Sequence, residues 1–327
     1  MPSHPFYKVP IQKLSSFESF QPVEGDREQI YTLNIGDNME LGTYVGFSKT
    51  GSDVLRIAFH AAKTSKEARG HKFSPLGMSR NSGDSFILFS DPTLTISDRS
   101  LLAWYLGTPD VNPDDWMELL VRRMMQACKA KFLIVEGSSG GGYTSLRFAS
   151  RFNNAVAVPK MPQTDLFRYM PGPLSIALRD AGWGNWTYER ILEECPERFR
   201  IADVYNDPAW HRNNLVQYVQ NMGDTSHVDG QLRPFMREVG ASHESAFSVL
   251  RGQFAISRPF TGGGHVNMPP EYWHAENSFA MNRLRSARAN VTPEDRWQRP
   301  ANRVIPEHLK AVRAENLAQH PDLNKTW

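Results

Sequence analysis

The sequence predicts an α/β fold with a mostly parallel central sheet. Compact apolar runs typical of buried strands alternate along the chain with segments of helical periodicity. The clearest unit is the run Phe132–Val135, followed by a glycine cluster at 137–142 and a predicted helix over Tyr143–Phe152. Strand and helix alternation of this kind is typical of a parallel sheet covered by helices.

The remaining elements follow in chain order. Short strand-like runs in residues 1–50 predict an antiparallel entry into the sheet, and the core is expected over 51–290. A helix over Pro113–Ala130 is indicated by Asp114 and Asp115 in its first turn and by its apolar spacing. The other apolar runs that predict strands are Gln29–Asn34, Leu41–Phe47, Val54–Phe59, Ser85–Phe89, Ala155–Val158, Leu215–Val219, Ala246–Leu250 and Phe254–Ile256.

Two segments depart from this alternation. Residues 167–206 are rich in aromatic side chains and predict a helical cap inserted into the sheet domain. Any one of these aromatics is expected to pack inside the cap, although the group could also stack on sugar rings or line an acyl pocket. Residues 291–327 hold few large apolar side chains, so we expect a peripheral tail with one short helix near Pro306–Ala318.

Composition excludes several classes of protein. The 327 residues carry 37 Lys and Arg against 35 Asp and Glu, and a net charge of +2 does not indicate a nucleic-acid binder. Cys128 and Cys195 are the only cysteines, too few for a disulfide framework or a cysteine-based zinc site. The amino-terminal sequence lacks signal-peptide character, and no apolar run is long enough to predict a membrane span. We therefore expect a cytoplasmic protein.

The glycine cluster contains a G-x-S-x-G pattern centred on Ser139, between a predicted strand and a predicted helix. This context is typical of a nucleophile elbow, in which the serine occupies a strained turn and flanking glycines avoid collisions. The N–H of Gly140 is then a natural oxyanion donor. A dinucleotide or phosphate loop is disfavoured, because the second glycine, the later acidic residue and a Gly-Lys-Ser/Thr sequence are missing. The glycines could also serve only close helix–strand packing.

Partners for the serine lie after later strands, in the order Ser, acid, His. Asp224 follows the strand Leu215–Val219, and His265 lies on a glycine-rich loop after the next apolar run. His227 is the rival base, and Asp165, after Ala155–Val158, is the rival acid. Each of these residues could instead have an ordinary turn or surface role. The preferred set is Ser139, Asp224 and His265.

A second oxyanion donor is expected after the early strand Val54–Phe59. Ala61 stands there in the segment His60-Ala61-Ala62, where many hydrolases have glycine after the histidine. An ordinary strand exit is an equally good interpretation of this segment. We expect neither a cofactor nor a metal ion, because the histidines and acidic residues show no spacing typical of a ligand cluster.

Four segments resemble a known group of proteins: Phe89–Leu94, Leu102–Gly107, Val135–Gly142 and Pro162–Asp165. They are similar to bacterial α/β-hydrolase-fold proteins of cell-surface polysaccharide and glycosyltransferase loci, which are distantly similar to a hydrolase-like component of the accessory Sec system. The histidine loop followed by Pro269-Pro270 fits the same group, and the resemblance covers roughly residues 50–275. It implies the α/β-hydrolase fold, with Ser139 as nucleophile, His265 as base and Asp224 as acid.

The function implied is acyl transfer through a serine. The leading prediction is an esterase or deacylase acting on a small-molecule or glycan ester, with an acylated carbohydrate as the candidate substrate. The alternative is a non-catalytic hydrolase-fold protein that serves binding or assembly in surface polysaccharide biosynthesis, since this fold supports both. The sequence does not indicate an oligomeric state.

Overall fold

A computed structural model describes residues 3–22, 25, 28–67, 70–207, 214–241 and 253–287. Its centre is a sheet of nine strands in the spatial order β1-β2-β3-β5-β4-β6-β7-β8-β9. The strands are β1 Ile11–Leu14, β2 Gln29–Gly36, β3 Met39–Gly46, β4 Val54–Phe59, β5 Ser85–Ser90, β6 Phe132–Ser138, β7 Ala155–Lys160, β8 Leu215–Val219 and β9 Phe254–Ser257.

Six neighbouring strands, from β5 across to β9, pair in parallel, whereas β2 and β3 pair antiparallel with each other and β3 pairs antiparallel with β5. The predicted sheet and its antiparallel entry are therefore confirmed. Strand β1, which pairs parallel with β2, was missed, because only one of its four residues is buried and its apolar signal is weak. The predicted run Ala246–Leu250 and the predicted tail at 291–327 lie outside the described residues.

The helices flank both faces of the sheet. They are α1 Leu76–Asn81, α2 Pro113–Cys128, α3 Gly140–Ala149, α4 Pro171–Asp180, α5 Tyr188–Glu194, α6 Ile201–Asn206, α7 Thr225–His227, α8 Arg233–Glu238 and α9 Pro270–Ala287. Helix α2 begins as predicted, with the Asn112 side chain accepting from Asp114 N–H and proline in the first turn. Helix α3 begins three residues before the predicted Tyr143, because the glycines themselves form its first turn.

Helix α9 was not predicted. Its buried residues, Trp273, Asn277, Ala280 and Leu284, follow a helical repeat, but most of the helix surface is polar. These side chains pack against Ile134, Val156 and Val158 on one face of the sheet. The opposite face carries the larger core, including α2 and α3. None of the helices in the described part of the chain is long and apolar enough to cross a bilayer.

A helical cap is inserted between β7 and β8, as predicted, and contains α4, α5 and α6. Its aromatic side chains pack mainly on one another. Trp183 is fully buried and makes edge contacts with Trp186 and Phe199, while Phe167 meets Tyr188 edge-on. The chain has the α/β-hydrolase fold, and the carboxyl ends of β4, β6, β7 and β8 meet at one edge of the sheet.

Candidate active site

Ser139 lies in the turn between β6 and α3, in a backbone conformation that only glycine adopts easily. Its φ of 53° and ψ of −120° are strained for a residue with a side chain. Two hydrogen bonds hold this conformation: Ser139 N–H donates to Lys160 O at 2.9 Å, and Tyr143 N–H donates to Ser139 O at 3.0 Å. The residue is 8% exposed. The turn has the geometry of the predicted nucleophile elbow.

The glycines around Ser139 are required by close contacts. A Cβ atom on Gly137 would lie 2.2 Å from Gly141 O, and one on Gly141 would lie 2.3 Å from Phe59 O. A Cβ on Gly140 would lie 2.4 Å from Leu102 Cδ1. Gly137 and Gly141 would meet backbone atoms, so the first turn of α3 can approach β4 and β6 only without side chains at these two positions, whereas Leu102 could move aside at Gly140. The packing role of the glycines therefore accompanies the elbow and is not an alternative to it.

A buried ion network lies directly below the elbow. Glu136, just before Gly137, bonds Arg56 Nη1 at 2.8 Å and Lys160 Nζ at 3.1 Å. Burial opposes ionisation of Glu136, but the charges of Arg56 and Lys160 prevail and lower the pKa of the carboxyl to about 2. Burial lowers the pKa of Lys160 to about 8 although Glu136 opposes it. Asn277 from α9 donates to Glu136 Oε2 at 2.8 Å and completes the network.

Asp224 is buried after β8 and accepts hydrogen bonds from two histidines. His265 Nδ1 lies 2.6 Å from Asp224 Oδ2, and His227 Nδ1 lies 3.0 Å from the same oxygen. The two rings are stacked with centroids 4.3 Å apart and planes at 17°. Burial opposes ionisation of Asp224, but the hydrogen bond from His265 and the charge of His227 hold the pKa of Asp224 below its ordinary value. Asp224 also caps α7, so its turn role and its contact with His265 coexist.

Hydrogen bonds anchor the glycine-rich loop that carries His265. Asn221 Nδ2 donates to Gly262 O at 2.9 Å and to Gly264 O at 3.1 Å. Gly264 N–H donates to Gly223 O at 2.7 Å. A Cβ on Gly223 would lie 1.9 Å from Gly262 O, so the two loops touch backbone to backbone. This contact sets the position of His265 beside Asp224.

We expect Gly223→Ala to displace His265 and to slow the reaction of Ser139 with a fluorophosphonate by about 10²-fold, the typical result of a misplacement near 1 Å. Gly263→Ala is the matched control, because a Cβ there meets nothing within 4 Å. The measurement is the labelling rate per folded molecule. Equal rates in both variants would contradict this account of the loop.

Ser139 Oγ forms its hydrogen bond with Gln163, not with either histidine, in the described part of the chain. Gln163 Nε2 lies 2.9 Å from Ser139 Oγ and 2.9 Å from His227 Nε2. Trp104 Nε1 donates to Gln163 Oε1 at 3.1 Å. Sequence reasoning missed Gln163 and Trp104 as site residues. Both lie in segments that carried the family resemblance, which is the signal that could have found them.

The rival residues have other positions. His227 is buried beside Asp224, and burial together with the charge of His265 lowers the pKa of His227, although Asp224 opposes this. Among the described residues, Asp165 has no histidine partner. Its Oδ2 lies 3.0 Å from the fully buried Arg200, which also bonds Asp203 and Glu238. In the structure, Asp224 therefore lies beside His265, whereas Asp165 belongs to an ion cluster under the cap.

The two predicted oxyanion donors lie at one junction. Gly140 is the first residue of α3, so its N–H belongs to the unpaired N–H groups of a helix start. Ala61 follows His60, whose carbonyl oxygen lies within 2.8 Å of a Cβ built on Gly141. His60 itself is buried, and its Nε2 accepts from Asp91 N–H at 3.1 Å. The end of β4 and the start of α3 are therefore in direct contact.

His60 makes a testable contribution to acid stability. Burial lowers the pKa of His60 to about 3, from 6.5. The unfolded chain therefore takes up a proton between these values that the folded chain does not, and stability falls as the pH falls through this range. We expect the change from pH 6.5 to 4.5 to cost about 2–3 kcal/mol through this residue. Urea unfolding of wild type and His60→Gln at both pH values measures it; parallel pH slopes would contradict it.

Asp224, His227 and His265 also form a group of possible metal ligands, with one ligand atom from each within 4.8 Å of the others. The statement that the sequence holds no such cluster was wrong, since Asp224 and His227 lie three residues apart and the loop brings in His265. The Nδ1 atoms of the two stacked histidines both bond the carboxylate of Asp224.

No family model matches the sequence, and no curated protein matches it. Solved structures match the fold. The capsule O-acetyltransferase of Neisseria meningitidis serogroup A aligns with a TM-score of 0.53 at 13% identity, over 82% of this chain and 97% of that chain. XC6422 of Xanthomonas campestris, an α/β serine hydrolase without a lid, aligns at 0.42 and 13% identity, over 83% and 98%. The glycosylation-associated Gap123 complex of Streptococcus agalactiae aligns at 0.49 and 15%, over 83% and 48%. The predicted relationship to α/β-hydrolase-fold proteins is confirmed at the level of the fold.

Proposed function

We propose that this protein is a serine esterase or deacylase that works through Ser139, His265 and Asp224, with an acylated carbohydrate as its substrate class. The observation that carries the proposal is the strained elbow of Ser139 at the same sheet edge as a histidine held by a buried carboxylate. Such strain persists only where the surrounding structure imposes it, and it is typical of reactive residues. The buried ion network below the elbow imposes the strained backbone conformation on Ser139.

His265 is the preferred base because its Nε2 has no hydrogen-bond partner among the described residues. A carboxylate only accepts hydrogen bonds, so the Nδ1 atoms of His265 and His227 carry the protons and each Nε2 has the lone pair. The lone pair of His227 already accepts from Gln163 Nε2. His265 is 38% exposed in its side chain and can exchange protons with substrate and solvent.

The reaction then follows two steps. His265 Nε2 takes the Ser139 proton while Oγ attacks the ester carbonyl carbon, and the imidazolium returns that proton to the departing alcohol as the carbon–oxygen bond breaks. Water attacks the acyl-enzyme by the same route and releases the acid. Asp224 holds the imidazole and balances its charge. The N–H groups of Gly140 and Ala61 face the carbonyl oxygen as it becomes negative.

Transfer of the acyl group to a sugar hydroxyl is the second candidate. It differs from hydrolysis only in the group that attacks the acyl-enzyme, and a capsule O-acetyltransferase has the same fold. A non-catalytic role in assembly is the rival class, consistent with the glycosylation-associated complex among the structures of this fold. The anchored His265 loop favours the catalytic proposals, since a vestigial site has no need of it.

The test is labelling of the purified protein with a fluorophosphonate, followed by mass spectrometric location of the adduct. We expect an adduct on Ser139, blocked by prior acylation. A panel of acyl esters of graded chain length, including acetylated sugars, with and without a free sugar acceptor, then separates hydrolysis from transfer. A protein that remains unlabelled and inactive on the whole panel would support the non-catalytic alternative.

A further inference from the structure

Gln163 occupies the space between the nucleophile and the buried histidine. It lies three residues after the end of β7 and is fully buried. Its amide nitrogen contacts Ser139 Oγ and His227 Nε2, each at 2.9 Å, and its amide oxygen contacts Trp104 Nε1 at 3.1 Å. All three polar contacts of this side chain are therefore with residues that line the site.

The direction of each hydrogen bond follows from the chemistry of the partners. An indole N–H only donates, so the atom facing Trp104 is the amide oxygen of Gln163 and the atom facing Ser139 is the amide nitrogen. An amide nitrogen only donates, so Ser139 Oγ and His227 Nε2 both accept. The hydroxyl hydrogen of Ser139 is left free for a different acceptor.

We propose that Gln163 is a further catalytic residue, whose amide N–H binds the reacting oxygen of Ser139. The proposal rests on the proposed acyl-transfer function. The N–H donor stabilises Oγ when the oxygen carries negative charge, as the proton leaves for His265 and again as Oγ departs from the acyl-enzyme. No bond to Gln163 forms or breaks, and the proton still passes between Ser139 Oγ and His265 Nε2.

Trp104 and His227 are positioning residues in this arrangement. Trp104 prevents the amide from turning over, and it is held in a left-handed backbone conformation, φ 51°, next to Tyr105 at φ 55°. The N–H of Tyr105 is bound by Asp91 Oδ2 at 2.8 Å, which fixes this strained pair. His227 takes the second N–H of the amide, so its own lone pair is occupied.

The test compares the rate constant for phosphonylation of Ser139 in four proteins, each corrected for its folded fraction. Gln163→Glu replaces the donor by an acceptor, and Gln163→Met keeps the length without polarity; we expect each to slow labelling by about 10²–10³-fold, the effect of losing one donor to a reacting oxygen. Gln253→Met is the matched control. Gln253 is also buried, lies just before β9 and away from the site, and donates a hydrogen bond to Asn214 O. We expect its rate to equal that of wild type.

A second readout is the NMR titration of His227. In wild type its pKa lies below the ordinary value, and in Gln163→Glu we expect it to rise above that value because a carboxylate then faces Nε2. Labelling of Ser139 at wild-type rates in both Gln163 variants would overturn the role of Gln163 and leave the proposed function intact. A wild-type protein that does not label on Ser139 would overturn both.

Discussion

Replacing Ser139 with alanine should lower ester hydrolysis by about 10³-fold or more, with little change in the free energy of unfolding. Within the described ranges the hydroxyl makes one hydrogen bond, with Gln163, and it contributes little to the core. Alanine also relieves none of the backbone constraint, because the φ of 53° is imposed by the turn. Steady-state kinetics on a chromogenic short-chain ester and thermal unfolding measure the two effects separately.

Ser138→Ala is the control for this experiment. Ser138 is the last residue of β6, next to the nucleophile but half-buried and outside the elbow position. We expect its activity to stay within a few-fold of wild type. Activity retained in Ser139→Ala would remove Ser139 as the nucleophile, whatever the fold.

Changing Asp224 to asparagine should lower kcat by about 10²–10⁴-fold, most clearly near neutral pH. An asparagine amide can present a donor to the histidines, which favours the wrong tautomer of His265 and removes the negative charge that balances the imidazolium. The carboxylate also accepts from Ser226 Oγ at 2.8 Å and from His227 N–H, so some loss of stability accompanies the change. The decisive quantity is kcat per folded molecule.

Asp165→Asn should mainly reduce stability and leave kcat nearly unchanged, the opposite of the pattern expected for Asp224→Asn. Its carboxylate faces the fully buried Arg200, and removing one partner of a buried ion cluster is destabilising. Burial raises the pKa of Glu238, in the same cluster, to about 7; the charge of Asp165 adds to this rise and Arg200 opposes it. We expect a lower melting temperature with kcat near that of wild type. A larger loss of kcat than in Asp224→Asn would reverse the assignment of the acid.

The sheet was predictable because its strands are buried on both faces and therefore read as continuous apolar runs. Val54–Phe59 and Leu215–Val219 are buried at every position, and their bounds follow from the sequence alone. The strained turn at Ser139 was predictable from the G-x-S-x-G pattern, because close backbone contacts permit only glycine at positions 137 and 141. Helix α9 lacked such a signal, since only one residue in three or four is buried.

The hydrogen bonds around Ser139 could not be derived from spacing. Asp91, Trp104 and Gln163 come from three separate loops, and no periodicity relates them. The choice between Asp224 and Asp165 was likewise open, because each follows a buried strand by a few residues. What separates them is their partners, His265 in one case and Arg200 in the other, and such pairing is set only when the loops have folded against one another.

Through the ion network below the elbow, the conformation of Ser139 depends on a helix that is synthesised much later in the chain. Lys160 supplies the carbonyl that holds Ser139 N–H, its ammonium bonds Asn277 at 3.2 Å, and it lies 3.5 Å above the ring of Trp273. Both partners belong to α9, more than 130 residues after Ser139 in the chain. Until that helix has left the ribosome and docked on the sheet, Glu136 and Lys160 lack the contacts that its side chains provide. The strained turn at Ser139 therefore gains its full support only after α9 has been synthesised and has docked on the sheet.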